Sequence, residues 1–189
     1  MIPLGLFTPV PISAAFLPPL DDAYDPLQMR APGGVAIGSG SQGREVQPWT
    51  VKYAGGLITV IPTIPGVGLT LPVSGVLAVS LAFDANMAVA IGYSKADGCY
   101  LYFYNGSSNA YETLFVPGAT SCRVCVDKTS GFYQGQSDVM FGYLQGGALY
   151  YRQQRDRYVT PYYVGPAAGT LTGAGPTVSN RLQFRVTSP

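Results

Sequence analysis

The chain contains no histidine. That removes the commonest general base and the commonest metal ligand from any catalytic scheme. Charge is scarce too. Lys and Arg number 11 and Asp and Glu 10 in 189 residues, or 11%, where an ordinary soluble domain carries about a quarter. A net charge of +1 gives no bulk electrostatic drive toward nucleic acid or an anionic membrane. Three cysteines are an odd count, which argues against a disulfide framework. Helical periodicity of useful length is missing, and at most one turn fits around residues 26–30. Residues 1–20 carry no charge and are broken by Pro3, Pro9, Pro11, Pro18 and Pro19. They read neither as a signal peptide nor as a membrane span.

What the chain has instead is 24 Gly, 16 Pro, 14 Tyr, 8 Phe and 47% hydrophobic residues. Glycine and proline at this density disfavour a helical bundle, and the aromatic content disfavours disorder. Period-two patterning bounded by turn residues predicts strands near 76–83, 87–93, 99–104 and 110–116. A second set is predicted near 121–126, 138–144, 148–153 and 158–164. Earlier, Trp49–Tyr53 and Leu57–Ile61 flank a plausible hairpin at Ala54-Gly55-Gly56, and Asn105-Gly106 is a hairpin signal. The two sets look alike. Phe83-Asp84 matches Val126-Asp127, Gly92 matches Gly142, Tyr102 matches Tyr150 and Tyr111 matches Tyr158. The expected fold is therefore all-β, built of antiparallel four-stranded meanders. These are either two propeller-blade-like repeats or a β-sandwich. The organisation predicted is an extended Pro-rich arm over 1–30 and a β domain over 31–166, with repeats near 76–118 and 121–166. A Gly/Thr/Ser linker and a final strand then occupy 167–189.

Chemistry is hard to place on this chain, and no catalytic, metal or cofactor residue is predicted. Cys122 and Cys125 form Cys-x-x-Cys, but on a strand residues three apart face opposite ways, so buried structural thiols are expected. Asp84 and Asp127 occupy matching positions and read as turn caps. A hydrolase would have to use such carboxylates. Arg152, Arg155 and Arg157 form a basic tip that suits a polar interface. The apolar arm residues Leu4, Phe7, Ile12, Phe16, Leu17 and Leu20 suit docking on a neighbouring subunit. Eleven tyrosines crowd the two repeats, a composition that serves half-buried sheets, protein interfaces and sugar-binding grooves.

Three segments carry a resemblance. They are residues 79–89 (Val-Ser-Leu-Ala-Phe-Asp-Ala-Asn-Met-Ala-Val), residues 118–124 (Gly-Ala-Thr-Ser-Cys-Arg-Val), and residues 137–141 together with 147–158 (Gly-Ala-Leu-Tyr-Tyr-Arg-Gln-Gln-Arg-Asp-Arg-Tyr). With the arm's Phe16-Leu17-Pro18-Pro19-Leu20-Asp21, they resemble virion structural proteins of tailed bacteriophages. The resemblance implies a tail or head-to-tail connector subunit of blade-like sheets and no enzymatic activity. Its expected partners are further copies in a homo-oligomeric ring and neighbouring virion proteins. It would sit near viral DNA without sequence-specific binding, away from any membrane, in a virion made in the host cytoplasm. The competing reading is a carbohydrate- or receptor-binding β module of a phage tail.

Overall fold

A computed structural model describes residues 25–36, 45–62, 68–84, 86, 88–127, 138–176 and 181–188. The arm residues Leu4, Phe7, Ile12, Phe16, Leu17 and Leu20 lie outside them. Among the described residues the fold is all-β, and one 3-10 turn, Gln154–Asp156, is the only helical element. The first sheet runs β1 (Gln28–Ala36), β2 (Glu45–Ala54), β3 (Leu57–Pro62) and β4 (Leu69–Pro72). The second runs β5 (Ala78–Phe83), β6 (Val89–Lys95), β7 (Gly98–Asn105) and β8 (Ala110–Pro117). The third runs β9 (Ala119–Val126), β10 (Val139–Gln145), β11 (Ala148–Gln153) and β12 (Tyr162–Pro166). A fourth sheet holds β13 (Thr170–Pro176) and β14 (Leu182–Thr187) alone. Each of the first three is an antiparallel meander of sequential strands. The first strand begins within the stretch read as arm, and the C-terminal stretch holds two strands where a linker and one strand were expected.

The repeat has three copies, because the first sheet shares the register of the other two. Its second and third strands close at Ala54↔Leu57, as the later ones do at Lys95↔Gly98 and Gln145↔Ala148. The third strands then meet a proline each time, at Leu57↔Pro72, Gly98↔Pro117 and Ala148↔Pro166. The residue after each proline returns an N–H to the hairpin: Val73 to the Gly56 carbonyl (3.0 Å), Gly118 to that of Asp97 (3.0 Å), Ala167 to that of Gly147 (2.9 Å). Proline cannot donate to a ladder and fits at an edge strand's end.

This register corrects three expectations. Gly92 and Gly142 are equivalent, as predicted. Tyr93 faces Tyr100 and Tyr143 faces Tyr150, so the counterpart of Tyr150 is Tyr100, two residues before Tyr102. Tyr111 lies on β8, whereas Tyr158 lies in the loop before β12 and is not its counterpart. The strand predicted from 158 starts only at Tyr162. The 3-10 turn, followed by left-handed Arg157 (φ 57°) and Tyr158 (φ 58°), uses up the residues between. The Asn105-Gly106 turn is longer than a two-residue hairpin. Its positive φ falls on Asn109 (53°), and the Asn105 side chain accepts from the Ser107 N–H (3.0 Å).

The sheets stack face to face in chain order, with the first strands β1, β5, β9 and β13 side by side. Between the first and second sheets lie Val51, Ile58, Val60, Leu81, Phe83, Ile91 and Tyr93. Leu101, Phe103, Cys122, Val124, Phe141 and Tyr143 fill the second interface. Met140, Leu144, Leu149 and Leu171 pack beneath the fourth sheet. The paired glycines admit the next sheet. A Cβ on Gly142 would lie 2.4 Å from Phe184 Cε1, and one on Gly92 would lie 3.0 Å from Val124 Cγ1.

The neighbouring first strands do not pair by ladder bonds; side chains link them. Ser80 Oγ accepts the Val124 N–H (3.0 Å), and Ser121 Oγ accepts the Leu171 N–H (3.0 Å). Buried Arg123, 4% exposed, donates Nε to the Leu171 carbonyl (3.2 Å) and Nη1 to the Val79 carbonyl. One guanidinium on β9 thereby grips β5 on one side and β13 on the other.

Candidate functional site

The residues that sequence reading singled out for polar work converge at one end of the second and third sheets. Asp84 ends β5 and caps its loop, its Oδ1 accepting from the N–H groups of Asn86 (2.9 Å) and Ala88 (2.8 Å). Asp127 does the same after β9, accepting from the Asp138 N–H (2.9 Å). Both are the turn caps expected. The 3-10 turn then brings Gln154 across, its Nε2 donating to Asp84 Oδ2 (2.9 Å) and its Oε1 accepting from Val139 N–H (3.2 Å). Arg155 bridges Asp127 Oδ2 (3.2 Å) and Asp138 Oδ2. Its side chain is 56% exposed, so each bond is worth at most about 1 kcal/mol.

The predicted basic tip is therefore divided. Arg152 lies on β11, where Nη1 donates to the Tyr158 (2.6 Å) and Val159 (2.8 Å) carbonyls. Its work is to hold the left-handed loop in place. Arg155 is tied to two carboxylates, and Arg157 is exposed. Among the described residues no group of three or more His, Cys, Asp or Glu is placed to hold a metal ion. Cys122 and Cys125 face opposite sides of β9, one in the core toward the second sheet and the other toward the fourth. All three thiols are free and buried. The Cys99 thiol is pushed up by its hydrogen bond with Cys122 and by burial, and burial pushes up Cys125, so neither offers a reactive thiolate.

The loop's main product is Tyr158, which sequence reading placed on a strand. It is 1% exposed and wedges between the second and third sheets, edge-on to Phe103 with centroids 4.7 Å apart. Its hydroxyl finds no partner among the described residues. Burial, then the carboxylates of Asp84, Asp138 and Asp156, hold its proton on well above the ordinary tyrosine range.

Aromatic rows cross the sheets at equivalent places. Tyr93, Tyr100 and Phe115 stack at 5.0 and 4.6 Å across β6, β7 and β8. Tyr143, Tyr150 and Tyr163 follow at 5.7 and 5.7 Å across β10, β11 and β12. Tyr102 stacks on Tyr111 at 4.9 Å. The two three-ring rows run from a buried ring to an exposed one, with Phe115 43% and Tyr163 62% exposed. Such contacts add about 0.5–1.5 kcal/mol per pair and leave aromatic area open at the outer strands. Tyr100 also donates to Asp97 Oδ2 (2.7 Å) and lies under Lys95 Nζ, 5.3 Å from its centroid. That hydrogen bond holds the Asp97 carboxyl below its usual range.

These rows make the fold sensitive to alkali. Burial, then Tyr100, Cys122 and Asp97, push Tyr93 up to about 12. An unfolded tyrosine ionises near about 10, so the unfolded chain gives up this proton first. The stabilisation is whole below pH ~10 and is lost as pH rises through about 12. In a titration followed at 295 nm, tyrosine ionisation above pH ~10 is expected to coincide with a cooperative loss of near-ultraviolet dichroism. Ionisation of every tyrosine near pH 10 with the dichroism unchanged would refute it.

No family model, curated protein or solved structure matches this chain.

Among the described residues no helix is long and apolar enough to cross a membrane.

Proposed function

We propose that this chain is a structural subunit of a bacteriophage virion, working in the tail or head-to-tail connector as part of a homo-oligomeric ring. One observation carries the reading. Among the described residues three sheets have four strands and the fourth has two, and β14 presents an open edge. A sheet edge with unpaired backbone groups is a template for another chain. The opposite end of the stack is also open to association. Leu57 (42%) and Ile61 (47%) lie exposed together on the outer face of β3, while Ile58 and Val60 between them point into the core. The low charge of the chain suits a surface covered by like copies. Light scattering on the purified full chain is the test. A discrete multiple of 20.0 kDa is the expected result, and a monomer at tens of micromolar would overturn it.

A second reading, a carbohydrate- or receptor-binding module of a phage tail, is favoured by the exposed ends of the tyrosine rows at Tyr111, Phe115 and Tyr163. It predicts a monomer that captures specific sugars on a glycan array, with binding lost on Tyr163→Ala.

A further inference from the structure

The fourth sheet has two strands among the described residues, and its geometry limits what can pair along β14. Leu171 turns both its N–H and its carbonyl toward β9, to Ser121 and Arg123. A strand residue presents both groups on the same side. The pair Leu171↔Val186 therefore exchanges no ladder bonds. The N–H and carbonyl of Val186 point outward, along the open side of β14.

Among the described residues the third sheet continues beneath that side, with Tyr151 and Tyr162 partly buried. Phe184 sits over Gly142 on β10. The cross-strand neighbour of Gly142 is Tyr151, and that of Tyr151 is Tyr162. Tyr151 stacks on Tyr162 at 5.1 Å, and its ring is 6.2 Å from Phe184. The fourth sheet thus ends above β10 while the face below it runs on through β11 and β12. The result is a slot with a backbone edge along one side and an aromatic floor.

A second β14 cannot fill the slot. Antiparallel edge pairing relates two copies by a dyad perpendicular to the sheet. The partner's β9 and β10 would then fall in the layer that β11 and β12 already occupy. The occupant has to be an extended segment with nothing packed below it.

Resting on the assembly reading above, we propose that residues 12–17 of a neighbouring copy pair along β14 and cover Tyr151 and Tyr162. Residues 12–17 form the longest proline-free run in residues 1–20, six residues between Pro11 and Pro18. Their length matches the six of β14. They alternate Ile12, Ala14 and Phe16 with Ser13, Ala15 and Leu17, which supplies an apolar face for the tyrosines. Asp21, Asp22 and Asp25 follow, while residues 157–189 hold three arginines and no carboxylate, so the charges suit each other. The chain's own arm enters the fold beside β5, where the Pro26 carbonyl accepts the Val79 N–H (2.8 Å), so docking within one chain is the competing outcome that the test separates.

The test uses the full chain, a synthetic peptide of residues 10–25, and two single variants, Ala14→Pro in the donor and Val186→Pro in the acceptor. Val186→Pro removes an outward N–H and no bond to β13. Far-ultraviolet dichroism confirms that each variant is folded. Expected is an oligomer that excess peptide takes down to 20.0 kDa, and that neither variant forms. An oligomer indifferent to the peptide and to both substitutions would overturn this docking and leave the assembly reading standing. A wild-type monomer would overturn both. Should Ala14→Pro lower the melting temperature of a monomer, the arm docks within its own chain and the proposal is wrong.

Discussion

Replacing Arg123 with methionine is expected to lower stability by about 2–4 kcal/mol. Methionine matches the apolar stem of arginine, so little packing is lost and the change isolates the guanidinium. Hydrogen bonds from a charged donor contribute about 1.5–3 kcal/mol each, and this group donates to Val79 on β5 and Leu171 on β13. Both carbonyls lie in strand edges that no neighbouring strand pairs, so losing the donor leaves buried acceptors unsatisfied. Relief from holding a charge inside the protein offsets part of the loss. Arg123→Lys should restore little of it, because one ammonium cannot reach in two directions as the planar fork does. The shift in denaturant midpoint at constant slope measures the effect. A change within about 0.5 kcal/mol for methionine would show that the two carbonyls do not depend on the guanidinium.

Tyr158→Ala should cost about 3–5 kcal/mol, the range for removing a buried aromatic ring. The ring is 1% exposed and fills the space between the second and third sheets. Tyr158→Phe should change stability by less than about 1 kcal/mol, since the hydroxyl makes no hydrogen bond among the described residues. The backbone adds a reason for the large effect of alanine. Arg157 and Tyr158 are consecutive left-handed residues, a conformation that costs about 1–2 kcal/mol apiece for residues with a Cβ. Packing of the ring and the two carbonyl bonds from Arg152 hold the loop in that form. With the ring gone the loop is expected to relax, and faster amide exchange at Arg157–Val159 would report it. A phenylalanine variant as unstable as the alanine variant would mean that the hydroxyl, and not the ring, holds the loop.

Much of the architecture was legible along the chain. Alternating patterning located the strands of the second and third sheets to within a few residues. Gly55-Gly56 marked a hairpin because positive φ is cheap there. Asp84 and Asp127 announced the ends of two equivalent strands. Cys122 and Cys125 had to face apart because a strand alternates its side chains. A further signal was present and unused: Pro72, Pro117 and Pro166 close the fourth strand of each meander, and their spacing would have revealed the third copy of the repeat.

Three features were settled only in the folded protein. Tyr158 sits in a run of strand-forming residues, Tyr158-Val159, with Tyr162-Tyr163-Val164 following. Burial between two sheets outweighs that local preference and pulls it out of the ladder. Arg123 reads as an ordinary outward charge on an alternating strand, yet the edges of β5 and β13 converge on it, and no local pattern encodes where three strands meet. The open edge of the two-stranded fourth sheet is likewise invisible in composition, because Leu182–Thr187 looks the same whether or not another strand lies beside it. Sequence determined most strands of the second and third sheets and the alternation of their side chains, since those follow from backbone sterics over a few neighbours. Which sheet covers which face, which charge is buried and which edge stays open depend on residues some 40–50 positions apart brought together, and only the tertiary structure decided them.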